Sequence, residues 1–221
     1  MTKIFNFPTC PVSKQLFHVP GAAVEGGYTA GAVRITSPEP GGRSVLEMQI
    51  ALQVREWDFP ISSWLMSKGN GEIFRIRMAP TPQVLSVRGT DILWNGDVPW
   101  SISSPWAGDI TATYAAVALE GSTRIVLDLE GYGNIARIGH VVGHQYDAYI
   151  IDEIEYDDAT DLATAIVKPP IRRNIAIGDA APFRPYFTGT IANMSEVRTT
   201  YDADKVGHIQ PGKIIFAEAI V

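Results

Sequence analysis

Residues 44–54 read SVLEMQIALQV, and the spacing of their apolar side chains decides the fold. Leu46, Met48, Ile50, Leu52 and Val54 are apolar, with Glu47, Gln49 and Gln53 between them. Successive side chains of an extended chain point to opposite faces, so a period of two over this length specifies a β-strand with one wet face. Residues 71–78, GEIFRIRM, repeat the pattern: Phe74, Ile76 and Met78 share one side, Arg75 and Arg77 the other. Between the two strands lies FPISSWLMSKGNG, in which Ile61, Trp64, Leu65 and Lys68 fall at helical spacing. Pro60 suits a first helical turn and Gly69 a helix end, which predicts one short helix near 60–68 crossing over a sheet.

Strand signals continue to the C-terminus. DITATYAAVALE and STRIVLDLEG flank a turn predicted at Leu119-Glu120-Gly121-Ser122. RIGHVVGHQYDAYIIDEIEYDD predicts a short strand, a turn around Gly143 and a longer strand ending near Tyr156. DDATD reads as a turn, and LATAIVKPPIRR as a strand stopped by Pro169 and Pro170. PYFTGTIANM and EVRTTY predict two more strands, and KIIFAEAIV a central or covered one. The expected fold class is therefore mainly β, sandwich- or barrel-like, with the single helix near 60–68. The organisation reads as two β regions, 1–109 and 110–221, or one continuous domain of 221 residues.

Composition narrows the function classes. Hydrophobic residues make up 46% of the chain, enough for a core, and 20 Gly with 15 Pro indicate many turns. The net charge of −6 lacks the basic clustering of a nucleic-acid binder. From Asp128 to Asp161 there are nine carboxylates against one base, Arg137. The lone Cys10 excludes an intrachain disulfide and a multi-cysteine zinc site. MTKIFNFPTCPV reaches Pro8 before any long apolar run, so neither a secretion signal nor a membrane span is expected, and assembly in a reducing cytoplasm is.

Candidate chemistry is sparse. His140 and His144 in GHVVGH have the i, i+4 spacing of a helical zinc site, but Gly139 and Gly143 oppose a helix. On a strand the pair would stand about 13 Å apart, too far for one ion, so they read as surface or interface histidines. DEIEYDDATD lacks the glycine of a calcium loop, and its alternating Glu153, Glu155 and Asp157 read as a solvated strand face. There is no G-x-S-x-G for a serine hydrolase, and GNG at 69–71 lacks the Lys-Ser/Thr pair of a phosphate loop. Asn193-Met194-Ser195 matches a glycosylation acceptor, to which no weight is given without an export signal. No catalytic residue, metal or cofactor is expected.

The remaining feature is WNGDVPWSISSPW, residues 94–106, which sets Trp94, Trp100 and Trp106 six residues apart among turn formers. Three readings stand: the indoles pin a long loop to the core, meet another subunit, or stack on sugars. This segment, with VLEMQIALQVREWDFPISSWLMSKGNGEIFRIRM and ATAIVKPPIRRNIAIGDAAPF, resembles the distal tail proteins of long-tailed bacteriophages. The resemblance covers about a third of the chain and carries no catalytic signature. It implies a virion structural protein of the tail tip or baseplate: a β-rich subunit of a homo-oligomeric ring, commonly a hexamer, that joins the tail tube protein to hub and tail-tip proteins. It also implies that DNA passes the lumen without specific binding, and it favours the subunit-contact reading of the tryptophans. The alternative is a carbohydrate-binding β module of the tail that reads a host receptor.

Overall fold

The computed structural model describes residues 3–8, 12–20, 23–28, 34–38, 42–50, 64, 67–68, 71–78, 93–94, 98–99, 111–130, 132–157, 159–194 and 213–220. They are mainly β. In chain order the strands are β1 (Ile4–Asn6), β2 (Val12–His18), β3 (Ala23–Tyr28), β4 (Arg34–Pro38), β5 (Val45–Ile50), β6 (Ile73–Arg77), β7 (Leu93–Trp94), β8 (Val98–Pro99), β9 (Thr111–Tyr114), β10 (Arg124–Asp128), β11 (Val141–His144), β12 (Asp147–Asp157), β13 (Leu162–Lys168), β14 (Ala180–Pro182), β15 (Tyr186–Ile191) and β16 (Ile214–Glu218).

The chain forms two units, and the division is not the one expected at 109/110. One unit is Met1–Arg77 with Phe187–Val221; the other is the continuous run Met78–Tyr186. Alternation marks strands but not which sheet they join, so a unit assembled from both ends of the chain left no local signal.

In the first unit a six-stranded sheet has the order β1-β6-β15-β16-β5-β2. β1 runs parallel to β6, with Phe5 opposite Phe74, and β5 runs antiparallel to both β2 and β16. The alternation in 44–50 and 71–78 holds: Leu46, Met48, Phe74, Ile76 and Met78 are buried. The expected strand KIIFAEAIV is β16, central in the sheet, with Ile214 and Phe216 fully buried. Trp64, Ser67 and Lys68 are helical, and the Ser67 hydroxyl donates to the Trp64 carbonyl at 2.8 Å; the rest of 60–68 lies outside the described residues. The Trp64 indole meets Phe74 edge-on at 5.4 Å, and Phe7 meets Phe216 at 5.5 Å, so aromatic edges and faces knit this core. Asn193 fastens the sheet: its amide donates to the Lys213 carbonyl at 2.7 Å and accepts from Ile215 N–H at 2.8 Å. That buried, committed amide is not a glycan acceptor. β3 pairs with β4 in a separate two-stranded sheet.

In the second unit the six-stranded sheet has the order β11-β12-β13-β10-β9-β14. Ile125, Leu127 and Leu129 share its inner face with Tyr114, Tyr149, Ala165 and Val167, all buried. At about 1.5–3 kcal/mol for each large apolar side chain, this face outweighs the exposed ion pairs, which contribute about 0–1 kcal/mol each. The sheet curls until its end strands β11 and β14 lie side by side, close to a barrel. DITATYAAVALE is shorter as a strand than expected: β9 ends at Tyr114, and Ala118 makes an isolated bridge to Ile175. The turn at 119–122 is present, with Ser122 N–H bonded to the Leu119 carbonyl and Gly121 at φ +83°. Pro169 and Pro170 follow directly on β13, as expected.

The turn expected around Gly143 falls instead at Gln145–Tyr146, and Gly143 is a strand residue. A Cβ on Gly143 would stand 2.3 Å from Pro185 Cβ and 3.1 Å from the Asp147 carbonyl oxygen. Glycine is there to let two backbones approach, not to turn the chain. Cys10 and the expected strand EVRTTY lie outside the described residues.

Candidate functional site

Trp94 pairs through its backbone with Val98 in the small antiparallel ladder of β7 and β8. Trp100 and Trp106 lie outside the described residues.

The two histidines are not surface groups. His140 and His144 are 3% and 2% exposed. A period of two assigned them to one face but not to the inner one, because β11 packs on both sides. His140 lies edge-on to Phe183 at 6.4 Å. Burial pushes its pKa below the ordinary imidazole value, and the Arg137 charge adds to the shift. His144 Nε2 is 3.0 Å from Asp179 Oδ2, and its ring stands edge-on to Tyr114 at 5.8 Å. The Tyr114 hydroxyl donates to the Gly143 carbonyl at 3.1 Å. Burial raises that phenol's pKa far above its ordinary value, with Tyr149, Asp147 and Asp179 adding to it. The Ala176 N–H holds the Asp179 carboxyl below the usual range, helped by His144 and opposed by desolvation. Beside this group Arg173 makes a two-point contact with buried Asp147, at 2.6 and 3.3 Å. The Tyr149 hydroxyl accepts from Arg172 N–H at 3.2 Å.

This constellation joins strands and has the form of a structural network. Among the described residues no three His, Cys, Asp or Glu side chains are grouped to hold a metal ion. Sequence reasoning missed Tyr114, Asp147, Arg173 and Asp179. Their partners lie 26 to 35 residues away, and only the adjacent Arg172 and Arg173 after the double proline stood out locally.

The acidic run behaves as expected on β12, where Glu153, Glu155 and Asp157 are exposed at alternate positions. Asp157 caps the following turn, accepting from Ala159 N–H at 3.0 Å and the Thr160 hydroxyl at 2.8 Å. Thr160 is the first cause of its lowered pKa. Asp152 pairs with Lys168 at 2.8 Å, and Asp147 is withdrawn from the surface by Arg173.

Two surfaces remain. In the second unit Val117, Leu119 and Ile177 are 58%, 63% and 67% exposed. The Ala118–Ile175 bridge, closed by N–H···O bonds of 2.9 and 3.2 Å, braces the backbone between Val117 and Leu119 and two residues before Ile177. In the first unit a depression of about 680 Å³ is lined by Lys14, Gln15, Leu16, Glu47, Gln49 and Lys213. Lys213 and His18 both reach Glu47, at 2.5 and 3.6 Å, and Lys213 is the first cause of that carboxyl's lowered pKa. No helix among the described residues is long and apolar enough to cross a membrane.

No family model matches the chain, and a search of curated proteins returned no match.

Proposed function

We propose that the protein is a structural ring subunit of a bacteriophage tail tip, similar to the distal tail proteins, and that it links the tail tube to the central hub. Its work is mechanical: copies close a ring by repeating one head-to-tail contact, and the lumen stays open for DNA.

The observation that supports the assembly part of this reading is the exposure of Val117, Leu119 and Ile177. Three large aliphatic side chains stand more than half exposed on segments braced by backbone hydrogen bonds. A subunit contact would bury them. The tail-tip part rests on the three sequence segments and on the mainly β fold. Exposed Glu153, Glu155 and Asp157 supply the acidic surface that a DNA-conducting lumen needs; Asp147, buried against Arg173, has no part in that use.

Averaged electron-microscope images of the purified protein, together with a glycan array, test the proposal. Rings of six copies with no glycan signal are expected. A dispersed monomer that binds glycans, and loses them on Trp100→Ala, would replace it with the receptor-reading alternative.

A further inference from the structure

The second unit's sheet comes close to a closed barrel, and its closure is unusual. Five of the six joints around it are backbone ladders: β11–β12, β12–β13, β13–β10, β10–β9 and β9–β14. The sixth, between β11 and β14, is made by side chains. His144 Nε2 and Asp179 Oδ2 meet across it at 3.0 Å, and Tyr114 beside β14 donates to the Gly143 carbonyl of β11. The bare Cα of Gly143 lets Pro185 come close from the segment after β14. Three local contacts thus stand where the other joints have a ladder.

The chemistry of this joint favours release. An ionised Asp179 only accepts, so His144 Nε2–H is the donor, and the other ring nitrogen, Nδ1, is buried with no hydrogen-bond partner among the described residues. Asp179 is 38% exposed on its side chain, so one end of the bond is open to solvent. β11 has four residues and β14 three, so each carries a short ladder on its other edge.

We propose that the β11–β14 joint is a side-chain latch along which the barrel opens as a discrete local event, before the ladders of β10, β12 and β13 separate. The latch is a conformational device: once open, it frees the outer edge of Val141–His144, a strand edge able to pair with another chain. It does not depend on the proposed tail-tip role.

Hydrogen–deuterium exchange on the intact protein tests it, comparing wild type with Asp179→Asn and Tyr114→Phe. Asp179→Asn replaces a charged acceptor by a neutral one of the same shape, and Tyr114→Phe removes only the hydroxyl. In each variant, amides of 141–144 and 180–184 are expected to exchange about tenfold faster or more, while those of 124–128 and 163–167 keep their wild-type rates. Unchanged exchange at 141–144 in both variants would overturn the latch. So would an equal acceleration in all four segments, since the joint would then belong to one cooperative core.

Discussion

Gly143 shows how one missing carbon sets a local structure. Its neighbour Pro185 is a rigid ring, so a methyl group at 143 has no flexible partner to displace. Gly143→Ala is expected to destabilise the protein by about 1–3 kcal/mol, the usual range for overpacking, read as a lower urea midpoint with an unchanged slope. His140 makes a second prediction, in pH. The unfolded imidazole takes its proton near pH 6.5, and the folded one takes it only at lower pH because burial penalises the charge. The folded state thus binds fewer protons between the two values. Its contribution to stability is complete above the unfolded pKa and is lost as pH falls toward the folded one. Melting temperatures between pH 7 and 5 are expected to fall less in His140→Phe than in the wild type. An equal fall in both would remove His140 as a cause.

The strands were legible where one face is wet. Leu46 and Met48, Phe74 and Ile76, and Ile125 and Leu127 announced themselves by alternation and lie inside as that pattern requires. Glu153, Glu155 and Asp157 announced the opposite face of β12 equally well. Legibility failed where the deciding contact is distant in sequence. Gly143 reads as a turn until Pro185 is beside it, and His144 reads as a surface group until Asp179 is. For the candidate site, the tryptophan segment was visible as composition, but the contact that places Trp94 is a backbone pair with Val98, which composition does not report. The difference between the two faces has a measurable consequence on two strands of this sheet, β10 and β12. Leu127→Ala is expected to cost about 2–5 kcal/mol, since a fully buried side chain leaves a cavity, whereas Glu155→Gln is expected to leave the melting temperature within about 1 °C. A Glu155→Gln loss approaching that of Leu127→Ala would mean that the β12 face is not solvated.

At the scale of the molecule, the first unit is built from both ends of the chain. β15 and β16 stand between β6 and β5 in its sheet, so a chain ending at residue 186 lacks the two strands that join one half of that sheet to the other. Such a truncation is expected to retain one cooperative unfolding transition, from residues 78–186, and to lose that of the first unit; calorimetry would distinguish this from two surviving transitions. The acidic face of β12 and the exposed aliphatic group lie in the same unit, so the proposed ring contact and the proposed lumen surface belong to one continuous stretch of chain. The most direct test of assembly is native mass spectrometry of the wild type and of Leu119→Asp with Ile177→Asp. A six-copy species for the wild type and a folded monomer for the double variant are predicted. A wild-type protein that stays monomeric as its concentration rises, or a double variant that assembles as the wild type does, would contradict the account.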